Sequence, residues 1–313
     1  MSGVVTLGET MGLFRAGSVG SLAHVSDFQL GIGGAESNVA IGVARLGGPA
    51  TWIGRVGPDG LGERVLRELR AEGVTVHGVV DETARTGLMV KERRTADTVR
   101  VSYYRAGSAG SRLSPADLDH AAIEAADILH ITGITAALSE SAAATVDAAI
   151  EVAVAAGVPV SFDVNHRATL WADGRAAEVY RGLAGRASIV FAGEDEARML
   201  APGATPLELA LAIAELGPTQ VIVKLGAAGC TALIDGVTHS LPAIRVTAID
   251  TVGAGDAFVA GYLAELVAGV PAEGRLATAV RTGAFACLGP GDWESYALRS
   301  ELAMLDGGDP VSR

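Results

Sequence analysis

The sequence predicts an α/β fold in which a doubly wound, mostly parallel sheet carries helices on both faces. From about Leu113 to Val267, short β-branched or apolar runs alternate with longer stretches rich in Ala and Leu, the pattern of repeated βα units. The apolar runs are nearly continuous, as expected of parallel strands buried on both faces. The chain has 313 residues, 49% hydrophobic and 19% charged, which is enough for one large domain, predicted over residues 1–313.

The individual elements follow the same alternation. Strands are predicted at Ile128–Thr132, Val158–Asp163, Ile189–Ala192 and Val221–Lys224, and helices at Ser37–Leu46, Gly60–Glu72 and near Ser139–Ala155. His130 lies within an apolar strand, so we expect a core histidine there. Residues 306–313 are expected to form a tail.

Two N-terminal stretches, at about residues 11–31 and 86–105, depart from this pattern. Between Thr98 and Tyr104 apolar and polar residues alternate, which is typical of antiparallel strands with one face in solvent. Because predicted helices separate the two stretches, we expect them to build a small discontinuous β sheet that covers the main domain as a lid. The alternative is that they form edge strands of the main sheet.

The composition excludes several functional classes. The formal net charge is −12 and the basic residues form no long run, so no nucleic-acid partner is expected. Cys230 and Cys287 are the only cysteines, and without a CxxC or a His/Cys cluster they indicate a cytoplasmic protein lacking a disulfide framework or a zinc site. Asp147 and Glu151 interrupt the most apolar stretch, Val146–Val160, so no membrane partner is expected.

A glycine turn leading into a helix is the most informative feature, within Asp250–Leu263. Gly253 and Gly255 let the backbone turn tightly, so that N–H groups at the start of the helix can bind an anion. Asp256 would repel a bound phosphate unless it accepts a proton from an incoming hydroxyl, the role of a base in phosphoryl transfer. The alternative is that Asp256 only stabilises the helix dipole.

A second glycine turn precedes the first predicted helix, in the segment Gly33–Ala40. Gly34 has no side chain, which allows a ligand to approach the backbone closely. Asn38 offers a donor and an acceptor to hydroxyl groups, although it could equally cap the helix. With Gly33, these residues predict a polyol site.

The two glycine segments resemble the two signatures of the PfkB, or ribokinase-like, family of carbohydrate kinases. They occur in family order, and the resemblance extends from Leu7 to about Asp292. It implies a ribokinase-like fold and the cofactors ATP and Mg²⁺. It also implies that Asp256 is the catalytic base and that the N–H groups of Gly253, Ala254 and Gly255 hold the transferred phosphate.

Several further stretches resemble the kinases of 2-keto-3-deoxygluconate within this family, among them Val101–Ala109, Leu129–Thr135 and Asp163–Arg167. A sugar acid needs a permanent cation with planar donors for its carboxylate. The resemblance assigns substrate contacts to Tyr103, Arg105 and Arg167; the alternative is that the two arginines pair with surface acids. Tyr104 lies on the other strand face and is expected to pack under the lid.

The resemblance also implies nucleotide and metal sites. Nucleotide contacts are assigned to Gly193, Lys224, Gly226 and Gly229, and a further substrate contact to Asp292. Lys224 could instead end its strand in solvent. Many family members carry Asn-x-x-Glu where this chain has Gly193 and Glu196. Glu196 is therefore the candidate metal-associated residue, and Mg²⁺, which keeps several waters, needs few protein ligands.

The resemblance implies a sugar-acid kinase that phosphorylates the 6-hydroxyl of 2-keto-3-deoxygluconate. Because edge strands of the lid need covering, we also expect a homo-oligomer. Asp163 and Asn165 follow a strand at the edge where ligands bind in open α/β sheets, and either face the substrate or hold the loop. Two alternatives stay open: a family kinase for a neutral sugar, such as a fructokinase, and a catalytically silent sugar-acid sensor. No Gly-x-Ser-x-Gly motif occurs, which excludes an α/β hydrolase.

Overall fold

The computed structural model describes residues 3–95, 98–172 and 174–307. The strands are β1 Val4–Leu7, β2 Met11–Ala16, β3 Phe28–Gly33, β4 Ala50–Val56, β5 Thr75–Val80, β6 Leu88–Arg93, β7 Val99–Tyr104, β8 Ile128–Thr132, β9 Val160–Asp163, β10 Ile189–Gly193, β11 Gln220–Lys224, β12 Cys230–Ile234 and β13 Val237–Leu241. The helices are α1 Ala35–Arg45, α2 Gly60–Ala71, α3 His120–Glu124, α4 Thr135–Leu138, α5 Glu140–Ala155, α6 Ala176–Ala184, α7 Glu194–Leu200, α8 Pro206–Ala214, α9 Ala254–Val267 and α10 Ala272–Ala286.

The main sheet has the strand order β13-β12-β11-β10-β9-β8-β1-β4-β5. All neighbours from β11 to β5 are parallel, whereas β12 and β13 run antiparallel at one edge. The chain adds β4 and β5 on one side of β1 and later adds β8 to β11 on the other, so the strand order reverses between β1 and β8. In open sheets of this kind, ligands bind beyond the carboxyl ends of the strands near such a reversal.

Helices cover both faces of this sheet. Val4 belongs to the core that includes α1, α9 and α10, whereas its neighbour Val5 belongs to the core that includes α5, α6 and α8. Trp52 is fully buried on the first face and Phe162 on the second. The predicted doubly wound, mostly parallel α/β architecture is therefore confirmed.

The N-terminal half contributes more to the main sheet than the sequence predicted. The strands and helices predicted above with both ends are present, shifted by at most two residues, but β1, β4 and β5, and β12 and β13 at the other edge, were not predicted. Polar or glycine residues interrupt the apolar runs of two of them, at Gly54 and Arg55 in β4 and at His77 and Gly78 in β5. The periodicity that revealed the later strands is therefore absent there.

The lid is a separate four-stranded sheet with the order β3-β2-β6-β7, so the edge-strand alternative is wrong. The expectation of antiparallel pairing holds for β2 with β3 and for β6 with β7, but β2 and β6 are parallel. Between β3 and β6 the chain passes through α1 and α2, and such a long crossover permits parallel pairing. The first lid stretch also continues to Gly33.

The C-terminal tail predicted over residues 306–313 can be compared with the structure only at its start. A 3-10 helix, Arg299–Asp306, ends where the tail was expected to begin, and residues 308–313 lie outside the described part of the chain. Within the described residues, no helix combines the length and apolar character that crossing a membrane requires.

Close packing of α9 on α10 depends on Gly261. A Cβ atom there would lie 2.4 Å from Thr282 Oγ1 and 3.0 Å from the Cα of Ala279, so we expect Gly261→Ala to lower the free energy of unfolding by about 1–3 kcal/mol. Gly182 in α6 meets no atom within 4 Å, and Gly182→Ala should raise it by about 0.5–1 kcal/mol. Urea unfolding measures both variants, and changes of the same sign would contradict this account.

Candidate active site

The predicted glycine turn before α9 is held in place by the loop that follows α10. Gly253 has a left-handed backbone with φ of 79°, and a Cβ atom there would lie 1.9 Å from the carbonyl oxygen of Asp292. The Tyr296 hydroxyl donates to the Gly253 carbonyl at 2.7 Å. Only glycine satisfies both the backbone angle and the contact.

Asp256 lies in the first turn of α9 and is 9% exposed. Asn38 Nδ2 donates to its Oδ2 at 2.8 Å, and Asn165 Nδ2 donates to its Oδ1 at 3.2 Å. Burial raises the pKa of Asp256, while the Asn38 bond and the charges of Arg167 and Lys224 oppose that rise. Each carboxylate oxygen thus has a fixed amide donor.

The two asparagines reach Asp256 from distant parts of the chain. Asn38 lies on α1, and Asn165 follows β9 in a left-handed backbone conformation with φ of 41°. The Oδ1 atom of Asn38 is buried without a hydrogen-bond partner among the described residues. The structure therefore places Asn38 against Asp256 and leaves one acceptor of its side chain for a ligand.

Lys224 ends β11 within the site and does not point into solvent. Its Nζ lies 2.7 Å and 2.9 Å from the two carboxylate oxygens of Asp163, at the end of β9. Burial raises the pKa of Asp163 to about 6, although the Lys224 charge opposes the rise. Burial disfavours the charged form of Lys224, but the neighbouring charges of Asp163 and Glu196 raise its pKa overall.

A cavity of about 290 Å³ lies between the lid and the carboxyl ends of the strands. The predicted substrate residues that line it are Gly34, Asn38, Tyr103, Arg105, Arg167, Asp256 and Asp292. Gly33 lies behind this wall, where a Cβ atom would approach Asp292 Oδ2 at 2.4 Å. The lid strands supply Met11, Leu13, Met89 and Val101 as apolar lining.

Arg105 is fixed by a buried acid that the sequence did not reveal. Its Nε and Nη2 lie 2.7 Å and 2.6 Å from Glu9 Oε2, and Ser108 Oγ donates to the other oxygen of Glu9. The Arg105 guanidinium also lies 5.7 Å from the Tyr103 ring centre. Glu9 has a fully buried side chain, so the partner of Arg105 is not a surface acid.

A second cavity, of about 610 Å³, lies on the other side of the glycine turn. It is mostly apolar, and its lining includes Ile244, Val246, Phe258, Val280 and Ala284, none of which the sequence singled out. Of the predicted nucleotide residues, Lys224, Gly226, Gly229, Ala254 and Gly255 line this cavity. Lys224, Thr251 and Gly255 line both cavities, so the two meet at the turn.

Gly193 and Glu196 have a local structural role. Gly193 ends β10 and caps the N-terminus of α7, and it lines neither of the two cavities described above. Glu196 lines the first cavity and accepts the N–H groups of Gly193 at 2.6 Å and His166 at 2.8 Å. Among residues 3–95, 98–172 and 174–307, no three His, Cys, Asp or Glu side chains are arranged to hold a metal ion.

The structure also tests the predictions for Tyr104 and His130, and it adds a cavity residue, Glu36, that the sequence did not predict. Tyr104 is 64% exposed, so the prediction that it packs under the lid is wrong, because β7 is the lid's edge strand. His130 is fully buried, and its Nδ1 lies 3.1 Å from Ser161 Oγ, as a core histidine should. Glu36 on α1 also lines the first cavity and accepts the hydroxyls of Thr132 and Thr135.

The glycine turn thus joins a polar and an apolar cavity beside a buried carboxylate. The model of the pfkB family carbohydrate kinases matches residues 1–297. The chain belongs to this family. It is therefore a carbohydrate kinase, and its fold is ribokinase-like.

Similar proteins of this kinase family act on different sugars. The 2-dehydro-3-deoxygluconokinase of Bacillus subtilis is 37% identical, covering 96% of this chain and 94% of that protein. The fructokinase of Klebsiella pneumoniae is 38% identical over 76% of this chain and 78% of its own length. A putative ribokinase II from E. coli, solved with ATP and Mg²⁺, superimposes with a TM-score of 0.91 at 25% identity, covering 98% of this chain and 99% of that one.

The buried Lys224–Asp163 pair generates a stability prediction for this kinase. Asp163→Asn leaves a mostly buried ammonium without its counter-charge, so we expect the free energy of unfolding to fall by about 3 kcal/mol. The matched control is Asp147→Asn, which removes the partner of Arg186 from an exposed pair and should cost about 0–1 kcal/mol. Calorimetric unfolding at pH 8, where wild-type Asp163 is ionised, makes the comparison; equal losses would contradict the assigned pairing.

Proposed function

We propose that this kinase transfers the γ-phosphate of ATP to the 6-hydroxyl of 2-keto-3-deoxygluconate, giving 2-keto-3-deoxy-6-phosphogluconate. The main observation in support of this proposal is that the two cavities share lining residues. A polar cavity with two arginines and an apolar cavity meet at Lys224, Thr251 and Gly255. This arrangement brings an acceptor and a nucleotide together at the N-terminus of a helix, which favours a bound phosphate.

The cations of the polar cavity support a sugar acid as acceptor. Arg105 lines the cavity while Glu9 holds its Nε and Nη2. The Arg167 side chain lines the same cavity, and its Nη1 donates to the carbonyl of His166 at 3.0 Å. A guanidinium recognises a carboxylate through two parallel hydrogen bonds. A neutral sugar needs no such partner.

Asp256 is the base in the proposed reaction. It accepts the proton of the acceptor's 6-hydroxyl as the oxygen attacks the γ-phosphorus, and the bond from that phosphorus to the bridging oxygen of ADP breaks. The N–H groups of Gly253, Ala254 and Gly255 at the start of α9 stabilise the charge on the transferred group. Asn38 Oδ1, which is buried without a partner among the described residues, accepts a hydrogen bond from a hydroxyl of the acceptor.

The second cavity suits ATP, because its apolar walls can enclose a base while the turn and Lys224 meet the phosphates. Mg²⁺ bound to those phosphates would neutralise part of their charge. The carboxylate of Glu196, which already accepts two backbone N–H groups, lines the acceptor cavity and is the residue that would meet the hydration shell of the ion.

The test is an ADP-release assay with Mg-ATP that offers 2-keto-3-deoxygluconate, its galactonate epimer, fructose, ribose and adenosine side by side. We expect the keto-deoxy acids to be preferred. Preference for fructose or ribose would assign the chain to a neutral-sugar kinase. Silence on every substrate would favour a sugar-acid sensor.

An arginine substitution adds a matched comparison. Because a hydrogen bond to a charged group contributes about 1.5–3 kcal/mol, Arg167→Met should lower kcat/KM for the sugar acid about 10–100-fold while changing slow fructose turnover little. The control is Arg186→Met, at an exposed pair far from both cavities. Equal losses for the acid and for fructose would contradict carboxylate recognition by Arg167.

We also propose that the protein is a cytoplasmic homo-oligomer. The lid exposes apolar side chains on its edge strand β3, with Phe28 at 41% and Leu30 at 37% exposure, and Cys230 and Cys287 are both free thiols. Sedimentation velocity measures the association state, and a monomer at micromolar concentration would contradict the proposed homo-oligomer.

A further inference from the structure

Lysine is rare in this chain, since Lys91 and Lys224 are its only lysines. Both lie at the first cavity, and Lys91 is 3% exposed. Lys224 belongs to the phosphate end of the proposed site. Lys91 lies on the lid strand β6 and has no part in the mechanism described so far.

The Lys91 ammonium binds two acidic side chains from other parts of the fold. Its Nζ lies 2.6 Å from Asp250 Oδ2 and 3.6 Å from Asp292 Oδ1. It also donates to the Gly291 carbonyl at 3.1 Å. The side chains of Asp250 and Asp292 are themselves buried, so this is an ion cluster within the protein.

Asp250 extends the cluster to the glycine turn. Its Oδ1 accepts the N–H of Val252 at 3.2 Å, and its Oδ2 accepts the N–H of Gly291 at 3.4 Å. The backbone of Asp292 in turn confines Gly253, whose missing Cβ would otherwise meet the Asp292 carbonyl. One ammonium therefore joins a lid strand, the segment before α9 and the loop after α10.

We propose that Lys91 is a positioning residue that ties the lid to the phosphate-binding turn and favours the ionised form of Asp292 at the acceptor cavity. The proposal rests on the proposed function in one respect, namely that Asp292 contacts the acceptor. An ionised Asp292 accepts hydrogen bonds from sugar hydroxyls, whereas a protonated Asp292 donates one. Lys91 thus shifts the balance between these two hydrogen-bonding patterns toward the accepting one.

The charges around Asp292 show why this lysine matters. Burial raises the pKa of Asp292 to about 7; Lys91 opposes the rise, whereas Glu294, Asp256 and Asp250 add to it. The Tyr296 phenol also faces this group, and burial keeps its pKa well above the ordinary value, so it stays neutral. Lys91 thus lowers the pKa of Asp292, and its loss would leave the charges of the three acids, each of which raises that pKa.

The direct test follows the titration of Asp292 by ¹³C NMR of its carboxyl carbon, assigned with Asp292→Asn. In Lys91→Met and in Lys91→Gln the pKa of Asp292 should rise by about one to three units, the usual effect of an opposite charge nearby. Lys91→Arg, which keeps the charge, should leave it near the wild-type value. An unchanged titration in either neutral variant would overturn the proposal.

Kinetics add a readout that a merely structural lysine would not move. The proposal requires an ionised Asp292 for acceptor binding, so in the neutral variants the acid limb of kcat/KM should shift to higher pH by the same amount. In the Asp292→Asn background the Lys91 substitutions should cause no such shift. A lower rate with an unmoved limb would overturn the proposal. Because the NMR titration uses no substrate, it stands even where the substrate panel rejects the sugar acid.

Discussion

The site depends on the burial of one carboxylate at the N-terminus of α9. Burial disfavours the charged form of Asp256 and raises its pKa, whereas the helix dipole, two amide donors and the nearby cations favour the charged form. The net result is a raised pKa, which makes the carboxylate a stronger proton acceptor than an exposed aspartate, as the proposed role requires. Asn38 and Asn165 fix its two oxygens, so only a narrow range of acceptor positions can reach it.

The fold brings the hydrogen-bond donors of Asp256 together from distant parts of the chain. Asn38 comes from α1, Asn165 from the end of β9 and Asp256 from α9, and the reversal of strand order between β1 and β8 brings these distant segments to one edge of the sheet. The lid covers the first cavity. Its strands contribute apolar lining and Lys91, and the residue after β7 contributes Arg105. Each of these cations is held by a buried acid, Asp250 or Glu9, which fixes its position without removing it from the cavity.

The sequence predicted the parts of this arrangement that are local. The turn before α9 could be predicted because the left-handed angle at Gly253 admits little besides glycine. Strands β8 to β11 could be predicted because both of their faces are buried. Glu9, Glu36 and Lys91 were missed because their partners lie far away in sequence and no spacing marks them. The parallel pairing of β2 with β6 was missed for a related reason. The relative direction of two strands depends on the connection between them, and the alternation of apolar and polar residues within a strand contains no information about that connection.

The most direct test of the central claim compares Asp256→Asn with the wild type in two separate measurements, sugar-acid binding by calorimetry and single-turnover phosphoryl transfer by rapid quench. Asn keeps the size of the side chain but cannot accept the proton. The account predicts that the Kd of the sugar acid stays within a few-fold of wild type while the transfer rate falls by about 10²–10⁴-fold, the usual contribution of a general base. Transfer at the wild-type rate with intact binding would contradict it.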